Sequence, residues 1–83
     1  MTKEDLNILV WPAMRYALGR MTYVVEMLCG VLIRNAKDIR HDSRIHMAEE
    51  IQRAIDTGQA GMDMDVKEWQ LVLDEFNKQK PSM

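Results

Sequence analysis

Hydrophobic side chains recur at helical spacing in four stretches of the chain, so the sequence predicts four α-helices. The first begins near Lys3, because Thr2 and Asp5 form a capping signal there. Its apolar face consists of Leu6, Leu9, Val10, Ala13 and Ala17. Pro12 interrupts this pattern, because a proline removes one backbone donor and clashes with the preceding turn. The helix therefore either kinks or restarts there, and a restart with Pro12 at the first position of a new segment is favoured.

The second predicted helix covers residues 23 to about 34 and is apolar around most of its circumference. Such a helix must be covered on several sides. It is therefore either the central helix of the domain or a helix with one face in an oligomer interface, where Gly30 would let another backbone approach closely. Its β-branched residues make a strand the rival prediction, but no turn or partner strand supports it.

A polar connection follows over residues 35–42, with Ile39 as its one apolar anchor. The third helix is expected to begin at residues 41–43 and to run to about Thr57, with Gly58 as its stop. Its predicted apolar stripe consists of Ile45, Ala48, Ile51 or Gln52, and Ile55.

A loop over residues 58–65 precedes the fourth helix, for which Asp65 is the predicted cap. Glu68 then falls at the third helical position, and Met64 can pack on Trp69, so a capping box and a hydrophobic staple coincide. The helix ends before Pro81. Its buried face is predicted to be Val66, Trp69, Val72, Leu73 and Phe76.

These elements define an all-α protein, a compact bundle of about four short helices in a single domain over residues 1–83. A chain of this length buries only about two-thirds of its unfolded surface. With two Trp and eight Met in so small a core, we expect the protein to gain stability as a homodimer or larger homo-oligomer.

Charge and cysteine content narrow the function classes. A net charge of −2 and a pI near 5.6 argue against duplex nucleic acid as a partner, because such binding normally needs a broad basic face. The single cysteine, Cys29, fits a reducing cytosol. No signal peptide is recognisable, and the apolar run over residues 24–33 is too short to span a membrane and contains Glu26. We therefore expect a soluble cytoplasmic protein without membrane contact.

Polar and aromatic side chains cluster between the first two helices, where Gly19 is placed to end one helix and Thr22 to cap the next. The first N–H groups of the second helix would then form an anion site. Arg15, Tyr16 and Arg20 precede this corner and Tyr23 follows it. Guanidinium groups match phosphate oxygens and phenol rings can stack on a base, so the cluster indicates a nucleotide-like ligand. The candidate ligand-binding residues are Arg15, Tyr16, Arg20, Thr22 and Tyr23.

A structural role is the alternative for the same cluster. Arg15 or Arg20 could pair with Glu26 or with acidic residues of another helix, and Tyr16 and Tyr23 could be core rings.

Metal binding and catalysis have weaker support. His41, His46, Glu49 and Glu50 lack a recognised ligand spacing and read as a solvated helix face. Asp63 and Asp65 lack the remaining ligands of a calcium loop. No nucleophile and base are paired in a recognised arrangement, so we expect no enzymatic activity. We also expect neither a metal nor a cofactor.

The segment RYALGRMTY, residues 15–23, and a late DxxxW segment, Asp65 to Trp69, resemble a group of small proteins encoded by tailed phages and prophages. The resemblance covers most of the chain and implies expression in the cytoplasm of a bacterial host. Small phage accessory proteins frequently counter host defences. Two functions therefore stand as hypotheses: sequestration of a nucleotide immune signal, such as a cyclic nucleotide or an ADP-ribose derivative, or inhibition of a host protein by direct binding.

Overall fold

Four α-helices account for most of the computed structural model, which describes residues 2–20 and 22–79, without the side chain of Thr22. They are α1 (Lys3–Ala17), α2 (Thr22–Arg34), α3 (His41–Asp56) and α4 (Asp63–Lys78), with a short 3-10 helix, η1 (Ala36–Asp38), between α2 and α3. The described residues contain no strand, so the predicted all-α class is confirmed and the rival strand for residues 24–33 is wrong. Helix α4 ends at Lys78, so the predicted stop before Pro81 is confirmed, although Pro81 itself lies outside the described residues.

Helix α1 runs unbroken through Pro12, so the predicted restart is wrong. Its start is as expected, because the Asp5 backbone N–H donates to the Thr2 hydroxyl over 3.1 Å. Pro12 has no N–H to donate to the carbonyl of Ile8. Both residues are exposed, so water can donate to this carbonyl instead. Residues buried before and after the proline hold both halves of the helix on one face: Leu6, Val10, Met14 and Ala17.

Helix α2 is the central element of the bundle. It packs against α4 on one side and against α1 on another, and Val25, Cys29 and Leu32 are fully buried. The opposite side is open, because Tyr23 and Met27 are 59% and 69% exposed. Of the two predicted alternatives, α2 is the central helix of the bundle, and one face of it remains uncovered in the single chain.

Helix α3 buries a different face from the predicted one. Ile51 is buried as expected, but Ile45 is 44% exposed. The buried residues are Arg44, Met47, Ile51 and Ala54, so the inward face is rotated by about one residue. Arg44 belongs to this inward face, where its guanidinium donates to the carbonyls of Ala36 (2.9 Å), Ile39 and Gln79 (2.6 Å). A pattern that counts arginine as outward-facing cannot detect such an arrangement.

Helix α4 begins at Asp63, earlier than predicted, with Met62 as its N-cap. Asp65 is therefore not the cap but the third helical residue, and its Oδ2 accepts a hydrogen bond from the Met62 N–H over 3.1 Å. Asp65 is only 2% exposed, and its carboxylate packs against Gly61, where a Cβ would lie 2.7 Å from Oδ2. Met64, expected to pack on Trp69, is 56% exposed. Of the predicted inward face, Trp69, Val72, Leu73 and Phe76 are buried, and Val66 is half-buried.

Candidate functional site

The corner between α1 and α2 is built around Gly19. The Leu18 N–H donates to the Met14 carbonyl over 3.0 Å, and the Arg20 N–H donates to the Ala17 carbonyl over 2.9 Å. Gly19 has φ +82°, the left-handed conformation that its predicted role as helix stop requires. A Cβ at this position would lie 2.9 Å from the Gln59 carbonyl oxygen. The corner is therefore seated directly on the loop between α3 and α4.

Arg20 and Tyr16 form one ordered unit on the outer side of this corner. The Arg20 Nε donates to the Tyr16 carbonyl over 3.1 Å, and the guanidinium lies 4.8 Å from the centre of the Tyr16 ring. Such stacking holds a cation over the negative face of an aromatic ring. Arg20 is exposed, so its terminal amino groups remain open to solvent while the rest of the side chain is held in place.

An open hollow of about 480 Å³ lies beside this unit. It is lined by Tyr16, Gly19, Arg20, Tyr23 and Val24. Tyr16 and Tyr23 are 63% and 59% exposed, so neither is a core ring. The structure thus brings together three of the five predicted site residues, one from α1, one from the corner and one from α2.

Arg15 lies elsewhere. Its guanidinium is 5.8 Å from the centre of the Trp11 ring, and it lines a separate hollow against α3 with Glu50 and Arg53. The expected convergence of both arginines is therefore not found. Arg20 lies beyond the end of α1, where the Gly19 corner brings it back over Tyr16, whereas Arg15 is turned about 100° away from Tyr16 around α1. The Thr22 side chain, predicted to cap α2, lies outside the described residues.

Among the described residues, the alternative of internal ion pairs is not found for these arginines. Within residues 2–20 and 22–79, neither Arg15 nor Arg20 has a carboxylate oxygen within 4.0 Å. Ion pairs in this part of the chain join Lys3 to Asp38, Arg40 to Asp42 and Arg53 to Glu50.

Cys29 lies in the core between α2 and α4. Burial, reinforced by the negative charges of Glu68 and Asp65, raises the pKa of its thiol to about 12. A thiol held protonated in this way is a poor nucleophile at neutral pH. In the described part of the chain, His, Cys, Asp and Glu side chains form no group of three or more that could hold a metal ion.

A further concave surface was not anticipated from the sequence. It is a groove of about 780 Å³ between α1 and α2, walled by apolar and small residues and reaching Arg34 at the far end of α2. Tyr16 and Tyr23 border both this groove and the hollow. The signal that could have revealed it is the spacing of Tyr23, Met27, Gly30 and Arg34 along one helix face.

Comparisons of the chain with protein-family models, with curated proteins and with solved structures gave no match. None of the helices described is both long and apolar enough to cross a bilayer. The functional conclusion therefore rests on the geometry of the hollow and on the residues that line it.

Proposed function

We propose that this protein is a non-catalytic accessory protein of the phage type that binds and sequesters a phosphate-bearing nucleotide, an immune signal of the bacterial host. The observation that carries the proposal is the Arg20–Tyr16 unit, an exposed guanidinium fixed at Nε and stacked on a ring at the edge of an open hollow. The similarity of residues 15–23 to phage proteins supports the cytoplasm of a bacterial cell as the place of action.

Each residue of the hollow has a distinct role in this proposal. The terminal amino groups of Arg20 bind two phosphate oxygens in a fork. Because its Nε bond and its stacking already restrict the side chain, binding costs less conformational entropy. Tyr23 offers an exposed ring for base stacking and a hydroxyl for a hydrogen bond. The start of α2 adds the positive end of a helix dipole next to the phosphate.

Calorimetry and thermal shift with cyclic dinucleotides, cyclic trinucleotides and ADP-ribose derivatives test this function. Arg20→Ala should weaken binding by about ten- to a hundred-fold, because a hydrogen bond to a charged group contributes about 1.5–3 kcal/mol. Arg20→Lys should restore only part of the affinity, since an ammonium keeps the charge but lacks the fork. Arg15→Ala is the matched control, with the same charge change on the other side of α1. A stable, folded Arg20→Ala protein that binds as tightly as the wild type would refute the site.

Inhibition of a host protein is the second candidate, and the outer surface of α4 favours it. Met62, Met64 and Leu71 are 73%, 56% and 52% exposed, next to the exposed carboxylates of Asp63 and Asp74. Exposed apolar side chains rimmed by charge are typical of protein interaction sites. If Leu71→Asp abolishes the anti-defence activity in bacterial cells and Arg20→Ala retains it, inhibition of a host protein is favoured over nucleotide binding.

A further inference from the structure

One face of α2 is left uncovered by the other helices. Tyr23, Met27, Gly30 and Arg34 follow each other at intervals of four, three and four residues, the spacing of a seam along which two helices pack. Tyr23 and Met27 are large, and more than half of each side chain is exposed. With Glu26, which lies on the same face, these residues line the groove between α1 and α2 and are called the α2 seam below.

We propose that the α2 seam is where a second copy of this chain docks, with the two α2 helices antiparallel and crossing at Gly30. The charges of the seam specify this partner. Glu26 and Arg34 lie four residues before and four residues after Gly30, each about 6 Å along the helix axis from the crossing point. A two-fold axis through that point brings Glu26 of one copy level with Arg34 of the partner subunit, and the pair occurs twice in the dimer.

Other orientations of the same two helices do not satisfy these charges. A parallel pair in register would set Glu26 against Glu26 of the partner subunit, and Arg34 against the partner's Arg34, which is repulsive at both ends. Within the described residues of one chain, neither Glu26 nor Arg34 has an oppositely charged group within 4.0 Å. The antiparallel crossing therefore satisfies both charges and covers the exposed Met27, while Tyr23 stays at the end of the seam beside the hollow.

Gly30 permits the close approach. It lacks a Cβ, and in the single chain the space above it is taken by the side chain of Arg34, whose Nη1 would lie 3.1 Å from a Cβ built there. That neighbour is the far end of a long side chain, so it can swing aside toward Glu26 of the partner subunit when the second copy docks. Tyr23 borders both the seam and the ligand hollow, so the dimer would carry one hollow near each end of the interface.

Sedimentation equilibrium of the full chain and of charge-reversed variants tests the interface. The wild type should be a dimer, and Glu26→Arg or Arg34→Glu alone should weaken it by at least about tenfold, equivalent to 1.4 kcal/mol. The double variant Glu26→Arg, Arg34→Glu should restore dimers. An equimolar mixture of the two single variants should form heterodimers, because each then meets opposite charges. Glu49→Arg is the matched control: it makes the same charge change as Glu26→Arg at an exposed position on α3 and should leave the dimer intact.

Three results would each overturn the proposal. They are a wild type that stays monomeric up to about 1 mM, a dimer that resists both single reversals, and single variants that dissociate without recovery in the double variant or the mixture. Circular dichroism of every variant confirms that it is folded, which is expected because both reversed positions are exposed. None of these measurements requires the ligand, so the interface can fail while nucleotide binding stands.

Discussion

Replacement of Arg44 by methionine should destabilise the protein more than its position on an amphipathic helix would indicate. Arg44 is 8% exposed, and its guanidinium donates to the carbonyls of Ala36, Ile39 and Gln79. Methionine has similar length and no donor, so Arg44→Met removes these hydrogen bonds while keeping most of the volume.

The size of the effect follows from what each carbonyl loses. A hydrogen bond from a charged donor contributes about 1.5–3 kcal/mol. The Ala36 carbonyl keeps a second donor, the Ile39 N–H at 3.2 Å, and Gln79 is half-buried, so water can reach its carbonyl. Removal of a buried cation whose Nε has no partner among the described residues offsets part of the loss. The net cost should be about 2–4 kcal/mol, a large fraction of the stability of a chain of this size.

Urea denaturation followed by circular dichroism measures this cost, with Arg40→Met as the matched control. Arg40 is exposed, and the nearest carboxylate oxygen, on Asp42, is 4.0 Å away. Arg40→Met should therefore change the free energy of unfolding by no more than about 0.5 kcal/mol. The free energy of unfolding of Arg44→Lys should lie between those of these two variants, because one ammonium cannot donate to carbonyls on both sides. Equal unfolding midpoints for Arg44→Met and Arg40→Met would refute the reasoning.

Three further predictions concern the core and its turns. Ile51→Ala should cost about 2–5 kcal/mol in denaturant melts and Ile45→Ala less than about 1 kcal/mol, because only Ile51 is fully buried; equal losses would contradict the observed face of α3. Gly61 has φ +101° with a carboxylate packed against it, whereas Gly58 has φ +75° and open space around it. Gly61→Ala should therefore lower the free energy of unfolding by about 1–3 kcal/mol more than Gly58→Ala does. The reverse order in thermal melts would contradict this packing. Folding raises the pKa of the Cys29 thiol from 9.0 to about 12, so the contribution of this thiol to stability is complete below pH 9 and is lost as the pH rises toward 12. Cys29→Ala should therefore flatten the alkaline part of the curve of unfolding free energy against pH. An unchanged curve would contradict the burial of this thiol.

The sequence predicted the elements of the fold well where periodicity and turn chemistry agreed. Helix α2 and the inward side of α4 followed from dense apolar spacing, and Gly19 and Gly58 both adopt the positive φ expected at a helix stop. The predictions failed where tertiary contacts override local preference. Pro12 stays inside α1 because buried residues on either side hold the helix together. The inward face of α3 was missed because it includes an arginine, Arg44, whose guanidinium donates to carbonyls outside its own helix.

The candidate site was predicted in composition and only partly in geometry. Tyr16, Arg20 and Tyr23 meet because helical spacing and the Gly19 corner determine their relative positions. Arg15 does not join them, since one position along a helix turns a side chain through about 100°. The groove beside the hollow was missed because it forms between two helices: the spacing of Tyr23, Met27, Gly30 and Arg34 marks its α2 wall, but not how α1 lies against α2.

The contact between Gly19 and the Gln59 carbonyl oxygen has a consequence for how this protein can diverge. A Cβ at residue 19 would meet the backbone of residue 59, and φ is positive there, so residue 19 is restricted to glycine while the side chain at residue 59 takes no part. The residues that face the hollow are exposed and can be exchanged without moving this support. A saturation-mutagenesis library selected for folding should therefore tolerate wide variation at residues 16, 20, 23 and 59 and almost none at 19. Descendants of this chain could change ligands while inheriting the same corner.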